Sequence, residues 1–397
     1  MNGHSNGTND FKKSTFSSSP VPDLWIAGIG SQYPPYLHTA DKFINYAKRF
    51  HDTETPVLKM LMRLTENSGI ETRACSIDLE TGFGCQAELP TIEDIDVRFR
   101  KVGVDLTVQA CRKALREWGG DLNDITHVVG VSFSSIGAPG LDYMVIKKLG
   151  LGCHVENVNL QGIGCAGSGA LIRLAGELAC AASIRKRPAR ILCFACELCS
   201  QFLRHQYAEA ESSTDLANMD IAGAIFGDAA SAFVLCNEYG LDDAEPKFQL
   251  LEWERARIPD TMQHMGALVK TTGFTSIITK EIPQYTKKAV KPLFDKLLPS
   301  YLEKFGSDLK GIDFDWAVHP GGEAIIVGVR DEMSLTEEQL RATRQIYKTR
   351  GNCGSPTMIA VLDLLRTMGR GKDHVVTASF GPGLAIEMAF LKRCRED

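Results

Sequence analysis

The sequence predicts an α/β protein built from two similar halves, and three observations support that fold class. The 397 residues, 44% of them hydrophobic, suffice to bury one large core or two fused ones. Strand-like and helix-like segments alternate from Leu24 onward, and the alternation repeats in the second half. Residues 1–22 differ, because they are rich in Ser, Asn and Gly and poor in aliphatic residues. They cannot offset the entropy of ordering, so we expect a disordered tail.

The predicted elements follow in chain order. In the first half, LWIAGIG from Leu24 and HVVGVSFSS predict strands. A helix between them is predicted by apolar residues at helical spacing, namely Leu106, Ala110, Ala114 and Leu115. The second half predicts a helix in KAVKPLFDKLLPSYLEKF, a strand in DFDWAV, a helix in TMIAVLDLLRTMG and a strand in VVTASFG. The turn-like segment YGLDDAEPK separates the halves, which we place at residues 23–245 and 246–397.

Charge, hydropathy and cysteine content exclude several classes of function. Lys and Arg number 44 against 49 Asp and Glu, a net charge of −5 without long single-sign runs, which predicts no binding of nucleic acid or anionic membranes. No window approaches the roughly 18 to 20 uninterrupted apolar residues of a membrane span, so we expect a soluble, cytoplasmic protein. The N-terminus has no signal-peptide pattern, and we therefore interpret the scattered cysteines as reduced thiols.

Two motifs suggest cofactors that the rest of the sequence does not support. Cys193, Cys196 and Cys199 have the spacing of metal ligands, but their segment begins as an apolar strand and has no nearby fourth cysteine or paired histidine. SFGPG at 379–383 is glycine-rich, but it lacks the lysine of a P-loop and the full spacing of a dinucleotide-binding motif. We therefore predict no bound metal and no nucleotide cofactor.

Cys165 is the candidate nucleophile. It lies in GIGCAGSG, between an apolar strand and a helix that opens with small residues. Unpaired amides and the dipole at a helix N-terminus lower the pKa of a thiol placed there. A buried packing cysteine is the alternative. Against that alternative, Gly162, Gly164, Gly167 and Gly169 indicate a sharp turn or a close approach to a ligand.

Two polar residues in the second half could act with this cysteine. His319 ends DFDWAV and precedes PGG, so its imidazole should lie where a strand leaves the core. Asn352 lies in TRGNCGSPT, a turn whose small neighbours leave its amide accessible. When each segment is taken alone, the alternatives are a satisfied structural histidine and an ordinary turn asparagine.

Five motifs together resemble the chalcone synthase-like type III polyketide synthases. In chain order they are GCAGSG around Cys165, IFGDAASAF at 225–233, WAVHPGGEAI around His319, GNCGSPTMIAVLDLLR around Asn352, and SFGPG at 379–383. The resemblance runs from about Leu24 to Phe390. It implies a thiolase-like fold with two pseudo-repeated, five-layered αβαβα halves, an acyltransferase activity and a homodimer.

The resemblance assigns roles to residues by position. Cys165 matches the acyl-accepting nucleophile, His319 the catalytic histidine and Asn352 the catalytic asparagine. Phe226 matches the gate between the coenzyme A tunnel and the cavity. The SFGPG motif adds four substrate-binding candidates, Phe380, Gly381, Pro382 and Gly383. The implied substrates are acyl-CoA and malonyl-CoA, with no cofactor besides these coenzyme A thioesters.

Departures from the family pattern indicate which substrate binds. A second gate phenylalanine of plant members falls on Ser276, and a frequent serine falls on Gly354, so both exchanges predict a wider cavity. A methionine that closes the partner subunit's cavity in plant enzymes falls on Ala138. This widening, with extra residues near 183–214, resembles fungal and bacterial alkylpyrone and alkylresorcinol producers more than plant chalcone or stilbene enzymes.

The basic residues that hold coenzyme A in the family are only partly matched. Arg63 aligns with one of them, whereas Met60 and Asn67 stand where lysines often occur. Lys59 could substitute for a missing lysine. We therefore expect Arg63 and Lys59 to contact the coenzyme A phosphates.

The predicted reaction is decarboxylative carbon-carbon bond formation. A Cys165 thiolate, paired with a His319 imidazolium, takes up a medium- to long-chain acyl group, and His319 and Asn352 stabilise the enolate of malonyl-CoA. Cyclisation gives an alkyl α-pyrone, an alkylresorcinol or a resorcylic acid. Two alternatives stay open. One is a ketoacyl synthase III-like enzyme with a single condensation, and the other is a catalytically silent thiolase-fold binding protein.

Overall fold

The computed structural model describes residues 22–305 and 308–394, so residues 1–21 of the predicted tail lie outside the described part. Within these ranges the chain forms thirteen strands and twelve α-helices. The strands are β1 (Leu24–Gln32), β2 (Tyr36–His38), β3 (Arg73–Cys75), β4 (His127–Val131), β5 (Glu156–Leu160), β6 (Arg190–Leu198), β7 (Asp228–Asn237), β8 (Phe248–Arg257), β9 (Met265–Lys270), β10 (Gly273–Ile278), β11 (Phe314–Val318), β12 (His374–Gly381) and β13 (Ala385–Arg393). The helices are α1 (Ala40–Phe50), α2 (Pro56–Asn67), α3 (Ile92–Arg98), α4 (Val104–Trp118), α5 (Leu141–Leu149), α6 (Gly167–Ile184), α7 (Leu203–Ser212), α8 (Ala222–Ile225), α9 (Ile282–Phe305), α10 (Glu323–Met333), α11 (Arg341–Arg350) and α12 (Thr357–Leu365).

Most of the strands form one mixed sheet in the order β11-β12-β13-β8-β1-β7-β6-β4-β5. The strands of the first half join those of the second where β1 pairs antiparallel with β8, with Leu24 opposite Leu250. β4 runs parallel to β5 and β6, and β11 runs parallel to β12. The remaining strands form two small sheets, β2 with β3 and β9 with β10.

Helices pack on the strands in layers. The helices α6 and α12 are central, because each contacts strands of both halves. α4 packs on β1, β6 and β7 of the first half, and α9 packs on β8 and β13 of the second. α6 contacts strands of both halves, namely β4, β6, β7, β8, β12 and β13, and α12 likewise contacts β1, β7, β11 and β12. Two central helices between strands of both halves, with further helices outside, give the αβαβα layering that the resemblance implies.

The predicted elements are present, but several of them have different ends, and the helix predicted in TMIAVLDLLRTMG ends at Leu365, four residues before Gly369. The strand predicted in HVVGVSFSS ends at Val131, because the serines that follow bend toward the buried carboxylate of Glu197. The helix predicted from Lys288 begins at Ile282. Pro283 lies in its first turn, where a proline costs no backbone hydrogen bond.

The central helix α6 is unusually apolar, and its buried position explains this composition. Together with the turn before it, Gly164–Ile184 is long and apolar enough to cross a membrane by length and composition. In the fold, 56% of the 18-residue stretch that meets this criterion is buried inside the protein. Ala170, Leu171 and Ile172 are fully buried against strands of the central sheet. Core packing on several sides therefore accounts for the composition of this helix.

The cysteines with metal-like spacing point away from one another. Cys193 and Cys196 both lie within β6, and residues three apart on a strand face opposite sides of the sheet. Accordingly, Cys193 packs in the core on one face and Cys196 in the core on the other. Cys199 follows the strand and lines a cavity. The three thiols do not converge on one point.

Candidate active site

A cavity of about 470 Å³ receives residues from both halves of the chain. Cys165 lines it from the first half, and His319 and Asn352 line it from the second. The three predicted catalytic residues, which are far apart in sequence, therefore share one space. The other walls are largely apolar and include Phe133, Phe202, Phe226, Phe274, Ile278, Ile282, Ile325, Phe380 and Pro382.

The turn that carries Cys165 depends on glycine at its bends. Gly162 and Gly164 have φ of +73° and +54°, in the left-handed region that favours glycine. A Cβ on Gly164 would also lie 2.8 Å from Cδ of Pro382, so the two loops approach closely. The short 3-10 turn Gly164–Ala166 leads directly into α6. Cys165 therefore lies at the N-terminal end of the central helix, as predicted.

The first turns of the two central helices meet beside the nucleophile. Ser168 Oγ, in α6, donates to the carbonyl of Ser355, just before α12. A Cβ on Gly167 would lie 2.7 Å from Cβ of Ser355, so only glycine allows this approach. The positive ends of two helix dipoles are thus brought together near Cys165 and Asn352, where they favour negative charge.

His319 lies immediately after β11, where the strand leaves the core, as predicted. Its N–H donates to Ala378 O at 2.8 Å, and its carbonyl accepts from Gly321 N–H at 2.9 Å. The residue is 1% exposed, and among the described residues neither Nδ1 nor Nε2 has a hydrogen-bond partner. Burial lowers the pKa of His319 to about 3, which favours the neutral ring. In the described part of the chain, no protein group satisfies either ring nitrogen, which favours the predicted role over a structural one.

Asn352 is joined by its backbone to the segment that carries Phe226, the predicted gate residue. Its N–H donates to Ile225 O at 3.0 Å, and its carbonyl accepts from Gly227 N–H at 2.9 Å. The side-chain Oδ1 accepts from Gly354 N–H at 2.9 Å. Because that bond occupies the oxygen, Nδ2 is the end of the amide that can donate, with Gly321 O at 3.4 Å. The amide is therefore oriented as a donor beside the cavity.

The predicted ion pair between Cys165 and His319 needs two charged side chains, and burial disfavours the charged form of both. Burial, followed by the charge of Glu197, raises the pKa of the Cys165 thiol to about 12, whereas hydrogen bonding by the Asn352 side chain lowers it. Burial acts on the imidazole in the same sense, toward the neutral form. No hydrogen bond between the two side chains is found in the described part of the chain. The thiolate and imidazolium pair therefore stays a prediction, because burial in this structure favours the neutral thiol and the neutral ring.

Glu197 is a buried carboxylate near the nucleophile that sequence reasoning missed. Its Oε2 accepts from Ser134 N–H at 3.0 Å and from Ser134 Oγ at 2.6 Å. Its Oε1 accepts from Phe133 N–H at 3.0 Å and from Ser355 Oγ at 2.5 Å. Burial nevertheless raises the pKa of Glu197 to about 7. The signal was an acid inside the apolar run ILCFACELCS, because carboxylates are rarely buried without partners.

The hairpin of β9 and β10 forms one wall of the cavity, and its central pair is small. Cross-strand pairs on the cavity side are Phe274 with Val269, Ser276 with Ala267, and Ile278 with Met265. The middle pair, Ser276 and Ala267, consists of two small side chains between two larger pairs. We call this gap the notch, and it agrees with the room predicted at Ser276.

Aromatic side chains that the sequence did not single out narrow another part of the cavity. The ring of Phe274 packs edge-on against Phe202 at a centroid distance of 4.9 Å and against Phe133 at 6.4 Å. All three line the cavity, together with the predicted gate residue Phe226. Small side chains therefore line the cavity at the notch, whereas packed aromatic rings line it at this cluster.

Gly354 does not provide the room that the sequence predicts. A Cβ at this position would lie 3.0 Å from Cγ of Glu197 and 3.1 Å from Cε1 of Phe133. Its φ of +69° also favours glycine. The expectation that Gly354 widens the cavity is wrong, because its neighbours fill the space and the turn needs its backbone.

The SFGPG motif divides into residues that line the cavity and residues that allow close packing. Phe380 and Pro382 line the cavity, as predicted. A Cβ on Gly381 would lie 2.5 Å from the carbonyl oxygen of Ile163, so this glycine lets β12 approach the nucleophile turn. Gly383 has φ of +126° and turns the chain toward β13. Neither glycine is a wall residue of the cavity.

Three other predicted residues lie outside this cavity. Ala138 is exposed on the loop before α5 and does not line the cavity of its own chain. Lys59 and Arg63 are exposed one turn apart on α2, and Lys59 Nζ forms an ion pair with Glu54 at 2.6 Å. Their expected contacts with the partner subunit and with coenzyme A stay predictions.

Comparisons with known proteins agree with this geometry. The family described as chalcone and stilbene synthases, N-terminal domain, matches residues 23–238, and the corresponding C-terminal domain matches residues 249–394. The chain is 50% identical to the type III polyketide synthase pspB of Penicillium soppii, over 96% of this chain and 98% of that protein. It is 33% identical to the acylalkylpyrone synthase csyB of Aspergillus oryzae, over 94% of this chain and 95% of that protein.

Solved structures show the same likeness over nearly the whole chain. ORAS, a fungal type III polyketide synthase, superimposes with a TM-score of 0.89 at 35% identity, over 93% of this chain and 99% of that chain. CsyB complexed with CoA-SH superimposes with a TM-score of 0.88 at 32% identity, over 93% and 100%. The chain therefore belongs to the chalcone and stilbene synthase family and is an acyl-transferring enzyme, a type III polyketide synthase related to fungal members.

Proposed function

We propose that the chain loads a medium- to long-chain acyl group from acyl-CoA onto Cys165, extends it by decarboxylative Claisen condensation with malonyl-CoA, and cyclises the product. The observation that carries this proposal is the shared cavity, where a thiol, an imidazole without a partner and an amide donor face one space. A thioester placed there can be attacked at carbon while its oxygen is bound.

Loading begins with attack of the Cys165 sulfur on the acyl-CoA carbonyl. His319 accepts the thiol proton, and the imidazolium that forms offsets the burial of the thiolate. The N-terminus of α6 adds a favourable dipole. The carbon-sulfur bond to coenzyme A then breaks, the coenzyme A thiolate takes the proton from His319, and the acyl group stays on Cys165.

Malonyl-CoA then loses carbon dioxide to give an enolate, whose thioester oxygen carries the developing charge. A neutral His319 offers one N–H, and Asn352 Nδ2 offers a second donor. Both are held before the reaction begins, the ring by burial and the amide by its bond from Gly354 N–H. A donor positioned in this way contributes about 3 to 4 kcal/mol to an oxyanionic transition state.

Chain extension follows when the enolate carbon attacks the Cys165 thioester and releases the sulfur. The lengthened chain, now on coenzyme A, returns to Cys165 for the next cycle. After two or more cycles, closure through an enol oxygen gives an alkyl α-pyrone, whereas closure through carbon gives an alkylresorcinol or resorcylic acid. The relative csyB is named an acylalkylpyrone synthase, which favours the pyrone.

The notch at Ser276 and Ala267 is the part of the wall that we propose to receive the acyl chain. It lies between the apolar pairs at Phe274 and Ile278. Each methylene buried there gains roughly 0.8 kcal/mol, so a deeper notch favours a longer chain. The packed rings of Phe133, Phe202 and Phe274 also line the cavity, and they would leave the extended chain less freedom to fold before it cyclises.

The proposed enzyme needs coenzyme A thioesters as substrates and a second subunit as its partner. Thiol, imidazole and amide supply the nucleophile, the base and the donors, so the scheme needs no cofactor besides the coenzyme A thioesters. We propose a homodimer in which Ala138 reaches the partner subunit's cavity, and contacts of Lys59 and Arg63 with coenzyme A phosphates. We place the enzyme in the cytoplasm, without nucleic acid or membrane partners.

Product analysis tests the proposal. Purified enzyme is offered malonyl-CoA with acyl-CoAs of graded length, and the products are identified by mass spectrometry. Alkyl pyrones or resorcinols formed from coenzyme A substrates alone would support it. Single-condensation products that require a carrier protein would favour the ketoacyl synthase alternative. Neither product nor acyl-enzyme with any starter would favour the silent binding protein.

A further inference from the structure

The notch lies in the middle of a hairpin whose two faces have different neighbours. Along β10, alternate residues face the cavity, and Thr275 faces the opposite way, toward α7. There His205 Nε2 lies 3.1 Å from Thr275 Oγ1, and His205 Nδ1 lies 2.8 Å from Thr272 Oγ1. Thr275 Oγ1 also donates to Glu209 Oε2 at 3.4 Å. These bonds hold the end of the hairpin near its turn to α7.

Asp220 makes a separate connection at the notch itself. Its Oδ2 accepts a hydrogen bond from the backbone N–H of Ser276 at 2.8 Å. Its Oδ1 accepts from the backbone N–H of Ala222 at 2.8 Å, in the first turn of α8. α8 ends at Ile225 and is followed directly by the gate residue Phe226. One carboxylate therefore joins the residue at the notch to the helical turn that carries the gate.

Both hydrogen bonds are of the strong kind. Asp220 is largely enclosed by protein, and burial raises its pKa to about 6, so most of the carboxylate remains ionised at neutral pH. Hydrogen bonds to an ionised acceptor are stronger than neutral ones. Asp220 itself is not part of the cavity wall. Any effect on substrate must therefore pass through Ser276 or through the gate segment.

We propose that Asp220 is a positioning residue for acyl-chain selection, because it fixes the distance between the notch at Ser276 and the gate at Phe226. This inference rests on the proposed function, in which the notch receives the acyl chain. Without the carboxylate, the hairpin stays attached to α7 through His205, but Ser276 is released from α8. The depth of the notch is then no longer fixed, and discrimination between long and short acyl chains weakens.

The test compares Asp220→Ala and Asp220→Asn with a matched control, Asp215→Ala. Asp215 lies in the same loop, but within the described residues its carboxylate accepts only from Ala217 N–H and from the N–H and side-chain Nδ2 of Asn218, all exposed. Two readouts are taken on each full-length protein. Hydrogen exchange measures the Ser276 amide, and intact-mass spectrometry measures which acyl group occupies Cys165 when acyl-CoAs of graded length compete.

In Asp220→Ala we expect exchange of the Ser276 amide to accelerate by roughly tenfold or more, because a charge-assisted hydrogen bond is lost. We expect the ratio of long to short acyl groups on Cys165 to change at least threefold. The value of kcat/KM should fall more for the longest starter than for the shortest. Asp220→Asn keeps one acceptor oxygen and should lie between Asp220→Ala and the unmodified enzyme. Asp215→Ala should match the unmodified enzyme in both readouts.

Unchanged Ser276 exchange in Asp220→Ala would overturn the connection, and faster exchange with an unchanged chain-length ratio would overturn the role in selection. If Asp220→Ala does not fold, Asp220→Asn decides by the same two readouts. An unmodified enzyme that loads no acyl group at all would overturn the proposed function and this inference together. Normal loading with an unchanged ratio in the variants would overturn this inference alone.

Discussion

The two sides of the cavity differ in how they are held. Cys165 lies in the turn that leads into α6, His319 follows β11, and Asn352 lies in the turn between α11 and α12, where the surrounding core fixes the backbone. The opposite side is the hairpin of β9 and β10, with Leu268 52% and Val269 64% exposed. A two-stranded hairpin is marginally stable by itself, so its position depends on few side-chain contacts. If the proposed roles hold, the residues that carry out the chemistry are fixed by the core, whereas the wall that we propose to select the acyl chain depends on few contacts.

Removing the nucleophile should give the largest effect and tests the catalytic side. We expect Cys165→Ala to abolish acyl loading, because no other group replaces the sulfur as acyl acceptor. The measurement is the mass of the protein after incubation with acyl-CoA. Cys199→Ala is the matched control, since Cys199 lines the same cavity and should keep its acyl-enzyme. An acyl-enzyme that still accumulates in Cys165→Ala would refute the assignment.

Removing the amide donor of Asn352 should slow decarboxylation of malonyl-CoA much more than acyl loading on Cys165. We expect Asn352→Ala to lower decarboxylation of malonyl-CoA by roughly 10²- to 10³-fold, the usual cost of one lost oxyanion donor. Acyl loading on Cys165 should fall much less. Release of labelled carbon dioxide and acyl-enzyme mass are measured in parallel. If both steps fell equally, the amide would be needed for the fold of the turn rather than for the enolate.

Filling the notch tests the selecting side. We expect Ser276→Phe to shift preference toward shorter acyl-CoAs by about tenfold, because excluding two methylenes forfeits roughly 1.6 kcal/mol of burial. Competition between acyl-CoAs of graded length measures the shift. Ile277→Phe is the control, since it adds the same ring to the opposite face of β10. An unchanged preference in Ser276→Phe, or an equal shift in Ile277→Phe, would show that the notch does not select acyl-chain length.

The smallest effect is expected at the surface, where neither side of the cavity is touched. Lys59→Ala and Arg63→Ala should each raise KM for acyl-CoA about two- to fivefold at low salt, because exposed ionic contacts contribute roughly 0.2 to 1 kcal/mol. The effect should fade at high salt. Lys291, an exposed lysine of α9 paired with Asp295, provides a control substitution to Ala. Unchanged KM at low salt would exclude both residues from the phosphate site.

Local features of the site could be predicted from sequence, because single residues dictate them. The glycines around Cys165 required a sharp turn, and Gly162 and Gly164 adopt positive φ. The position of His319 followed from the end of an apolar strand and the PGG that follows. Asn352 was expected in a turn of small residues, and its backbone joins the gate segment there.

Features that depend on distant neighbours could not be predicted. Whether a glycine leaves room depends on what packs against it, and at Gly354 the neighbours come from β6 and from the loop after β4. The notch depends on the register that places Ala267 opposite Ser276, which the composition of the two strands does not reveal. The contact between Phe202 and Phe274 likewise joins segments that only the tertiary fold brings together.

The backbone bridge between Asn352 and the residues on either side of Phe226 limits how this enzyme can diversify. Because Gly227 N–H and Ile225 O both bond to Asn352, a change that displaces the main chain around Phe226 also displaces the Asn352 amide. Rotation or replacement of the Phe226 ring leaves these two backbone hydrogen bonds in place. Selection for new starters, in evolution or in the laboratory, should therefore accumulate substitutions in the hairpin and spare the main chain on either side of this ring.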